Sequence, residues 1–160
     1  MKDEPVPDAD HILRYVGGTH VDADAEGLPV IGGGAFIARP RDNNCPSYNW
    51  LEFLGGTLDQ QVQRVRDVAT SSGFQYGASA KLVRLNVGRV RQHVRENAEG
   101  HEVTVIHDPL SQEERPPDGD PSHALMTNVP DENDPMGELV GDRIRQCIID
   151  VFPARIPAKL

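Results

Sequence analysis

Two segments of the chain carry apolar residues at the three- and four-residue spacing of an amphipathic helix. The first follows a capping box, in which Thr57 is the N-cap and Gln60 the third helical residue, and Gly73 is suited to end it. The second starts with Asp134 as N-cap and Pro135 at the first helical position. The apolar positions are Leu58, Val62, Val65 and Ala69 in the first segment and Val140, Ile144, Cys147, Ile148 and Val151, up to Phe152, in the second. We therefore predict two long helices.

Four other segments have features of β-strands. Residues 12–16 (ILRYV) and 101–107 (HEVTVIH) are short and rich in β-branched or aromatic residues. Residues 81–87 (KLVRLNV) alternate between a purely apolar face and a mixed face. Residues 29–40 (PVIGGGAFIARP) contain three consecutive glycines, which indicate a bulge or a close approach of two backbones. We predict a strand in each segment.

Two segments fit more than one element. Residues 121–129 (PSHALMTNV) suit either a strand or a short helix, and the apolar run at 48–54 (YNWLEFL) is undecided. A short basic helix is expected at roughly 88–98. The resulting order, β-β-α-β-α-β-β-α, predicts an α+β fold. We expect a mixed or antiparallel sheet of about four to five strands, packed against two longer helices and one short basic helix.

Length and composition indicate one folded unit with long loops. The chain has 160 residues, and we predict a single domain over residues 11–160. Residues 1–10 are acidic and proline-containing, and are expected to form a flexible arm. Residues 108–120 are expected to form a long acidic, proline-rich loop. The start of the chain lacks an apolar signal segment, so we expect a soluble, cytoplasmic protein without membrane association.

Charge is distributed unevenly along the sequence. The net charge is −9, yet residues 64–95 carry seven basic side chains and a single acid, Asp67. This segregation predicts a basic face that binds an acidic protein partner, with a phosphate-bearing ligand or nucleic acid as alternatives. The alternative is that the arginines of residues 64–95 form ion pairs with the acidic loop at residues 108–120 of the same chain. The candidate binding residues are Arg84, Arg89, Arg91 and Arg95.

The acidic loop is flanked by histidines, each near an Asp-Pro pair. If residues 121–129 form a strand that pairs antiparallel with 101–107, His107 and His123 lie at the same end of the two strands. Together with Asp108 and Asp120 they would provide an acid–base site, or a site for metal-assisted hydrolysis. The alternative is that both aspartates only cap turns, as Asp before Pro often does.

An arginine on an early strand is followed by a serine and a glutamate: Arg14, then the segment Ser47–Glu52 (SYNWLE). This order resembles that of small bacterial NAD-handling, ADP-ribosyltransferase-like toxins. The resemblance implies that Arg14 holds the dinucleotide phosphates and that Glu52 orients a ribose hydroxyl. The glutamate follows the serine more closely than in that family, and no aromatic clamp is identifiable.

Other chemical motifs are incomplete. Asp22, Asp24 and Glu26 match part of a calcium-binding loop, but Gly33 stands where the bidentate glutamate would be needed. No sequence motif assigns a metal or a cofactor. Ser/His/Asp and Cys/His triads both remain open, because their members need not be close in sequence, but no local motif supports either.

Overall fold

The fold is known from a computed structural model, which describes residues 2–39 and 45–155. The six strands of its main sheet are β1 (His11–Val16), β4 (Ser47–Trp50), β5 (Lys81–Asn86), β6 (Thr104–His107), β7 (His123–Thr127) and β8 (Asp150–Pro153). Their order in the sheet is β6-β7-β4-β1-β5-β8, and every neighbouring pair is antiparallel. A separate hairpin is formed by β2 (Val21–Ala23) and β3 (Pro29–Ile31).

Helices cover both faces of the main sheet. They are α1 (Leu51–Leu54), α2 (Leu58–Ser71), α3 (Val87–Asn97) and α4 (Pro135–Arg145). One face packs against α3 and α4 through a core that includes Val90, Val94, Val140 and Ile144. The other face packs against α2 through Val62 and Val65. The predicted α+β class is confirmed, but the sheet has six strands and not about four to five.

The starts of the long helices are where the sequence places them. Thr57 accepts a hydrogen bond from the backbone of Gln60, and the Gln60 side chain accepts one from the backbone of Thr57, so the capping box is complete. The Asp134 side chain accepts from the backbone N–H of Met136 at the start of α4. Both helices therefore begin because side chains satisfy backbone donors that have no partner inside the helix.

The predicted end of the last helix is wrong. Helix α4 ends at Arg145, and residues beyond Ile149 form β8 at the edge of the sheet. There Phe152 pairs with Leu82 of β5, and Asp150 bonds to Arg84. The apolar stripe alone fitted a helix, but the β-branched and aromatic run also suits a strand, and the exposed edge of β5 provides the partner.

The two segments that the sequence left undecided, residues 121–129 and 48–54, contribute to the same part of the sheet. Residues 123–127 form a strand, β7, and the run at 48–54 divides into the end of β4 and the short helix α1. The segment 29–40, predicted as one strand, contains only β3 and a 3-10 turn at Gly33–Phe36; residue 40 lies outside the described residues. A Cβ on Gly33 would lie about 3.0 Å from the backbone of Asp142, so the glycines permit this turn to pack directly on α4.

The N-terminal segment, predicted to be a flexible arm, contacts the main sheet through a few of its residues. Residues 3–6 lie along the free edge of β6, where Asp3 and Val6 donate backbone hydrogen bonds to His107 and Val105. Val6 is also buried in the core. The segment is acidic overall, but burial of the Val6 side chain and backbone hydrogen bonds to the edge of β6 stabilise its contact with the sheet.

Helices in the described part of the chain are all too short or too polar to cross a membrane.

Candidate functional site

A cavity opens where strands β1 and β4 separate. The two strands pair only at Ile12 with Trp50 and Leu13 with Asn49, although β1 continues to Val16. The cavity has a volume of about 350 Å³, a size typical of small-molecule sites. Its polar lining includes Arg14, Ser47, Asn49, Arg115, Asp120 and His123, and its apolar lining comes from Tyr15, Phe74, Tyr76 and α2.

A serine and a histidine are in contact at the edge of this cavity. The Nε2 atom of His123 lies 3.1 Å from Oγ of Ser47. On the other side of the ring, Nδ1 lies 2.9 Å from the main-chain oxygen of Asp108 and 3.2 Å from its carboxylate. Both groups near Nδ1 are acceptors, so the neutral ring carries its proton there. Nε2 then accepts a hydrogen bond from the Ser47 hydroxyl.

These residues differ in their access to solvent. His123 is only 5% exposed, whereas Ser47 is exposed at the start of β4. A buried imidazole in contact with an exposed serine meets one requirement of nucleophilic catalysis, a base within hydrogen-bond reach of the nucleophile.

The two loop-flanking histidines do not converge. His107 pairs with Ala124, so His123 is one residue out of register with it and points to the opposite face of the sheet. The ring of His107 packs against Trp50 and Phe53, and its Nε2 lies 2.7 Å from the main-chain oxygen of Pro121. Of this predicted pair, only His123 lines the cavity.

Both aspartates of the sequence hypothesis lie close to His123, in different roles. Asp108 contacts the imidazole directly. Asp120 lines the cavity, is 1% exposed, and accepts hydrogen bonds from the amide of Asn49 at 3.0 and 3.2 Å. Arg115 reaches the same carboxylate at 3.5 Å. The Asp120 side chain is therefore part of a buried polar network and not merely a turn cap.

Arg14 and Ser47 are brought together, but Glu52 is not. The Arg14 guanidinium donates to the main-chain oxygens of Ser47, at 2.7 Å, and Ala35, at 3.1 and 3.2 Å. Glu52 instead accepts hydrogen bonds from the backbone and ring of His11, and it is not among the described residues that line the cavity. The geometry implied by the transferase resemblance is thus only partly present.

The predicted basic face is divided by internal ion pairs. Arg84 contacts Asp150 at 2.6 Å and Arg91 contacts Asp8 at 2.8 Å, so their partners are not in the acidic loop. Arg89 and Arg95 are exposed on α3, and neither forms an ion pair with another described residue. Binding of a partner by this face stays a prediction.

An aromatic cluster also lines the cavity. Tyr15, Phe74 and Tyr76 contact each other with ring centroids 5.0 to 5.4 Å apart. Burial raises the pKa of Tyr76 to about 12, although the nearby Arg66 lowers it. Tyr76 therefore stays neutral across the physiological range and contributes to the cavity as an apolar ring with a hydroxyl.

Sequence reasoning missed several residues of this site. The sequence alone predicts no role for Asn49 or Arg115, and it singles out Ser47 only beside Arg14. The available signal was the alternation in β4, which places Ser47 and Asn49 on one face. The register with β7 that brings His123 to that face has no local sequence signature.

Metal ligands are not clustered: in residues 2–39 and 45–155, no group of three or more His, Cys, Asp or Glu residues could hold an ion. No protein-family model matches the sequence, and no curated protein or solved structure is significantly similar to it.

Proposed function

We propose that this chain is a small serine-dependent hydrolase that cleaves an ester or related acyl bond in the cavity. The observation that carries the proposal is the contact of an exposed Ser47 hydroxyl with Nε2 of His123, whose Nδ1 is held by Asp108. In this proposal Ser47 is the nucleophile, His123 is the general base, and Asp108 is a positioning residue.

The proposed reaction has two steps. Ser47 Oγ bonds to the carbonyl carbon of the substrate while its proton passes to Nε2 of His123. The same proton then passes to the departing alcohol oxygen as the carbon–oxygen bond breaks, which leaves an acyl group on Ser47. Water next attacks this acyl group and gives a proton to His123, which returns it to Ser47 Oγ as the carboxylic acid leaves.

The surroundings of the dyad support this use. The Asp108 main-chain oxygen accepts from Nδ1 and fixes the tautomer, and the Asp108 carboxylate, 3.2 Å from Nδ1, stabilises the imidazolium formed during the reaction. The adjoining cavity of about 350 Å³ provides room for a small substrate next to Ser47.

The test is covalent labelling with a fluorophosphonate, which reacts with activated serine nucleophiles. We expect a single adduct, located on Ser47 by mass spectrometry. Labelling should be lost in Ser47→Ala and strongly slowed in His123→Ala. Ser71→Ala is the matched control, because Ser71 is an exposed serine at the end of α2, outside the cavity. Equal labelling of Ser47 and Ser71, or no labelling of Ser47, would refute the proposal.

A second proposal keeps the basic helix α3 as an interaction surface. It is supported by the exposure of Arg89 and Arg95, and it no longer depends on Arg84 or Arg91. Binding of an acidic protein at this surface should weaken steeply with added salt, and Arg89→Glu with Arg95→Glu should abolish it. If the affinity for the acidic protein does not change with added salt, binding does not occur through Arg89 and Arg95.

A further inference from the structure

Residues 2–6 lie along the edge of β6 that faces away from β7, and we refer to them as the strap. The backbone N–H of Asp3 donates to the main-chain oxygen of His107 at 2.7 Å. The N–H of His107 in turn donates to the main-chain oxygen of Glu4 at 2.8 Å. Both backbone groups of His107, the last residue of β6, are therefore bound to the strap.

One side chain anchors the strap to the fold. Val6 is 3% exposed and belongs to the main core cluster. Its N–H donates to the main-chain oxygen of Val105 at 2.9 Å. Residues 2–5 and 7–9 are exposed, so Val6 provides the buried apolar contact of this part of the chain. Displacement of Val6 should therefore release the strap.

The strap ends before the residues that hold the start of α3. The main-chain oxygen of Asp8 accepts from the N–H of Gly88 at 3.0 Å. The main-chain oxygen of Asp10 accepts from the N–H of Val87, also at 3.0 Å. These hydrogen bonds do not involve residues 2–6, so the strap can be released as a local unit while α3 stays in place.

The end of β6 that the strap holds also supports the Ser47–His123 dyad. Asp108 directly follows His107, and its N–H donates to the main-chain oxygen of His123 at 2.8 Å. The Asp108 main-chain oxygen is the acceptor 2.9 Å from Nδ1 of His123. The strap and the imidazole are thus bound to adjacent residues of one backbone segment. The Lys2 ammonium, 3.8 Å from the Asp108 carboxylate, adds little because the Lys2 side chain is 62% exposed.

We propose that the strap is a positioning element of the dyad. Docking of Val6 fixes the backbone at Asp108, and Asp108 fixes the tautomer and the direction of the His123 ring. This inference rests on the proposed function for its catalytic meaning, since the ring is the general base for Ser47 in that proposal. Misplacement of a catalytic group by about 1 Å lowers a rate by about 10²-fold, so release of the strap slows the reaction at Ser47.

The test releases the strap in the full chain with Val6→Asp, which places a charge at a buried position. Hydrogen exchange of the His107 amide, followed by NMR, reports the release, because this N–H donates to Glu4. We expect faster exchange at His107. We also expect a mixture of the two neutral His123 tautomers in the nitrogen NMR spectrum at pH 8, in place of the Nδ1–H form. Fluorophosphonate labelling of Ser47 should be slowed at least about tenfold.

A matched pair of variants separates positioning from stability, and it also serves if Val6→Asp does not fold. Val6→Ala and Val140→Ala remove the same methyl groups from one core cluster, but Val140 lies on α4. Val6→Ala should speed exchange at His107 and slow labelling of Ser47. Val140→Ala should do neither, even where it lowers the melting temperature. Val6→Ile keeps an apolar anchor and should be labelled at about the wild-type rate.

Three results would overturn the inference. The first is a His107 amide that exchanges as slowly in Val6→Asp as in the wild type, since Val6 would then not anchor the strap. The second is a released strap with the wild-type His123 tautomer and wild-type labelling. The third is equal slowing of labelling in Val6→Ala and Val140→Ala, which would make the effect one of general stability.

Failure of this inference is distinguishable from failure of the proposed hydrolase. Labelling of Ser47 that does not change when the strap is released would overturn the inference and leave the hydrolase proposal standing. A His123 tautomer that changes on release of the strap, in a chain whose Ser47 is not labelled, would support the positioning role and refute the hydrolase proposal.

Discussion

The imidazole Nε2 of His123 lies 3.1 Å from the hydroxyl oxygen of Ser47, although the two residues are 76 positions apart in the chain. The contact follows from the pairing of β4 with β7, in which Ser47 is opposite Leu125 and Asn49 is opposite His123. Ser47 and His123 are therefore diagonal neighbours on one face of an antiparallel pair of strands. The long imidazole side chain of His123 spans the distance between such neighbours.

The first prediction concerns the two oxygens of Asp108 near His123 Nδ1, the main-chain oxygen that accepts its hydrogen bond and the carboxylate. His123→Ala should lower kcat for an aryl ester by roughly 10² to 10⁴, the usual contribution of a general base. Asp108→Asn should lower kcat much less than the about 10⁴-fold seen where a carboxylate is the single acceptor of the histidine Nδ1–H. The reason is that the Asp108 main-chain oxygen, 2.9 Å from Nδ1, is retained in the variant. Steady-state kinetics of both variants test this. Equal losses in the two variants would show that the carboxylate alone positions the ring.

The second prediction concerns the buried carboxylate of Asp120. Asp120→Asn replaces an acceptor by an amide that faces the donors of Asn49 and Arg115, so we expect the free energy of unfolding to fall by about 1 to 3 kcal/mol. Asp118→Asn is the matched control, since Asp118 is exposed in the same loop. Urea denaturation of both variants measures the difference. If both variants are as stable as the wild type, the network does not stabilise the fold.

The third prediction concerns Tyr48, whose pKa is raised by burial to about 12, even though Arg14 lowers it. The folded state favours the protonated phenol, so its contribution to stability is complete below pH of about 10 and is lost as the pH rises through about 12. At pH 11 the wild type should have lost about 1 kcal/mol more than Tyr48→Phe. Denaturant unfolding at pH 8 and pH 11 measures this.

The measurement at pH 8 tests a separate property of Tyr48, the environment of its hydroxyl. The Tyr48 hydroxyl is buried without a hydrogen-bond partner among the described residues. Tyr48→Phe should therefore be as stable as the wild type at pH 8, or more stable by about 1 kcal/mol. A clear destabilisation at pH 8 would mean that the hydroxyl does have a partner.

The fourth prediction concerns the contact between α4 and the 3-10 turn. Alanine usually stabilises a helix relative to glycine by about 1 kcal/mol. In Gly141→Ala, however, the new Cβ would lie 2.6 Å from the main-chain oxygen of Gly33, so we expect a net loss of about 1 to 3 kcal/mol. Gly77→Ala is the control, because no atom lies within 4 Å of its Cβ position. A Gly141→Ala variant with a raised melting temperature would contradict this packing.

Elements with local signals were predictable. The capping box at Thr57 and the Asp134-Pro135 start specify two helices, and the alternation over residues 81–87 specifies β5. Such signals depend on backbone donors and side-chain faces within a few residues of each other. Segments whose structure depends on a distant partner were not predictable, as for β8, whose apolar residues also fitted an extension of α4.

The candidate site was likewise predictable only in the parts that have a local sequence signal. The sequence by itself determined an α+β chain with defined helix starts. It singled out Arg14 and Glu52, and His107, His123, Asp108 and Asp120, as residues able to do chemistry, without distinguishing those that meet in the fold. Only the tertiary structure decided that His123 faces Ser47 while His107 faces Trp50. The physical reason is register: a shift of one residue between paired strands reverses every side chain, and hydrogen bonds between strands 76 residues apart leave no trace in the local pattern.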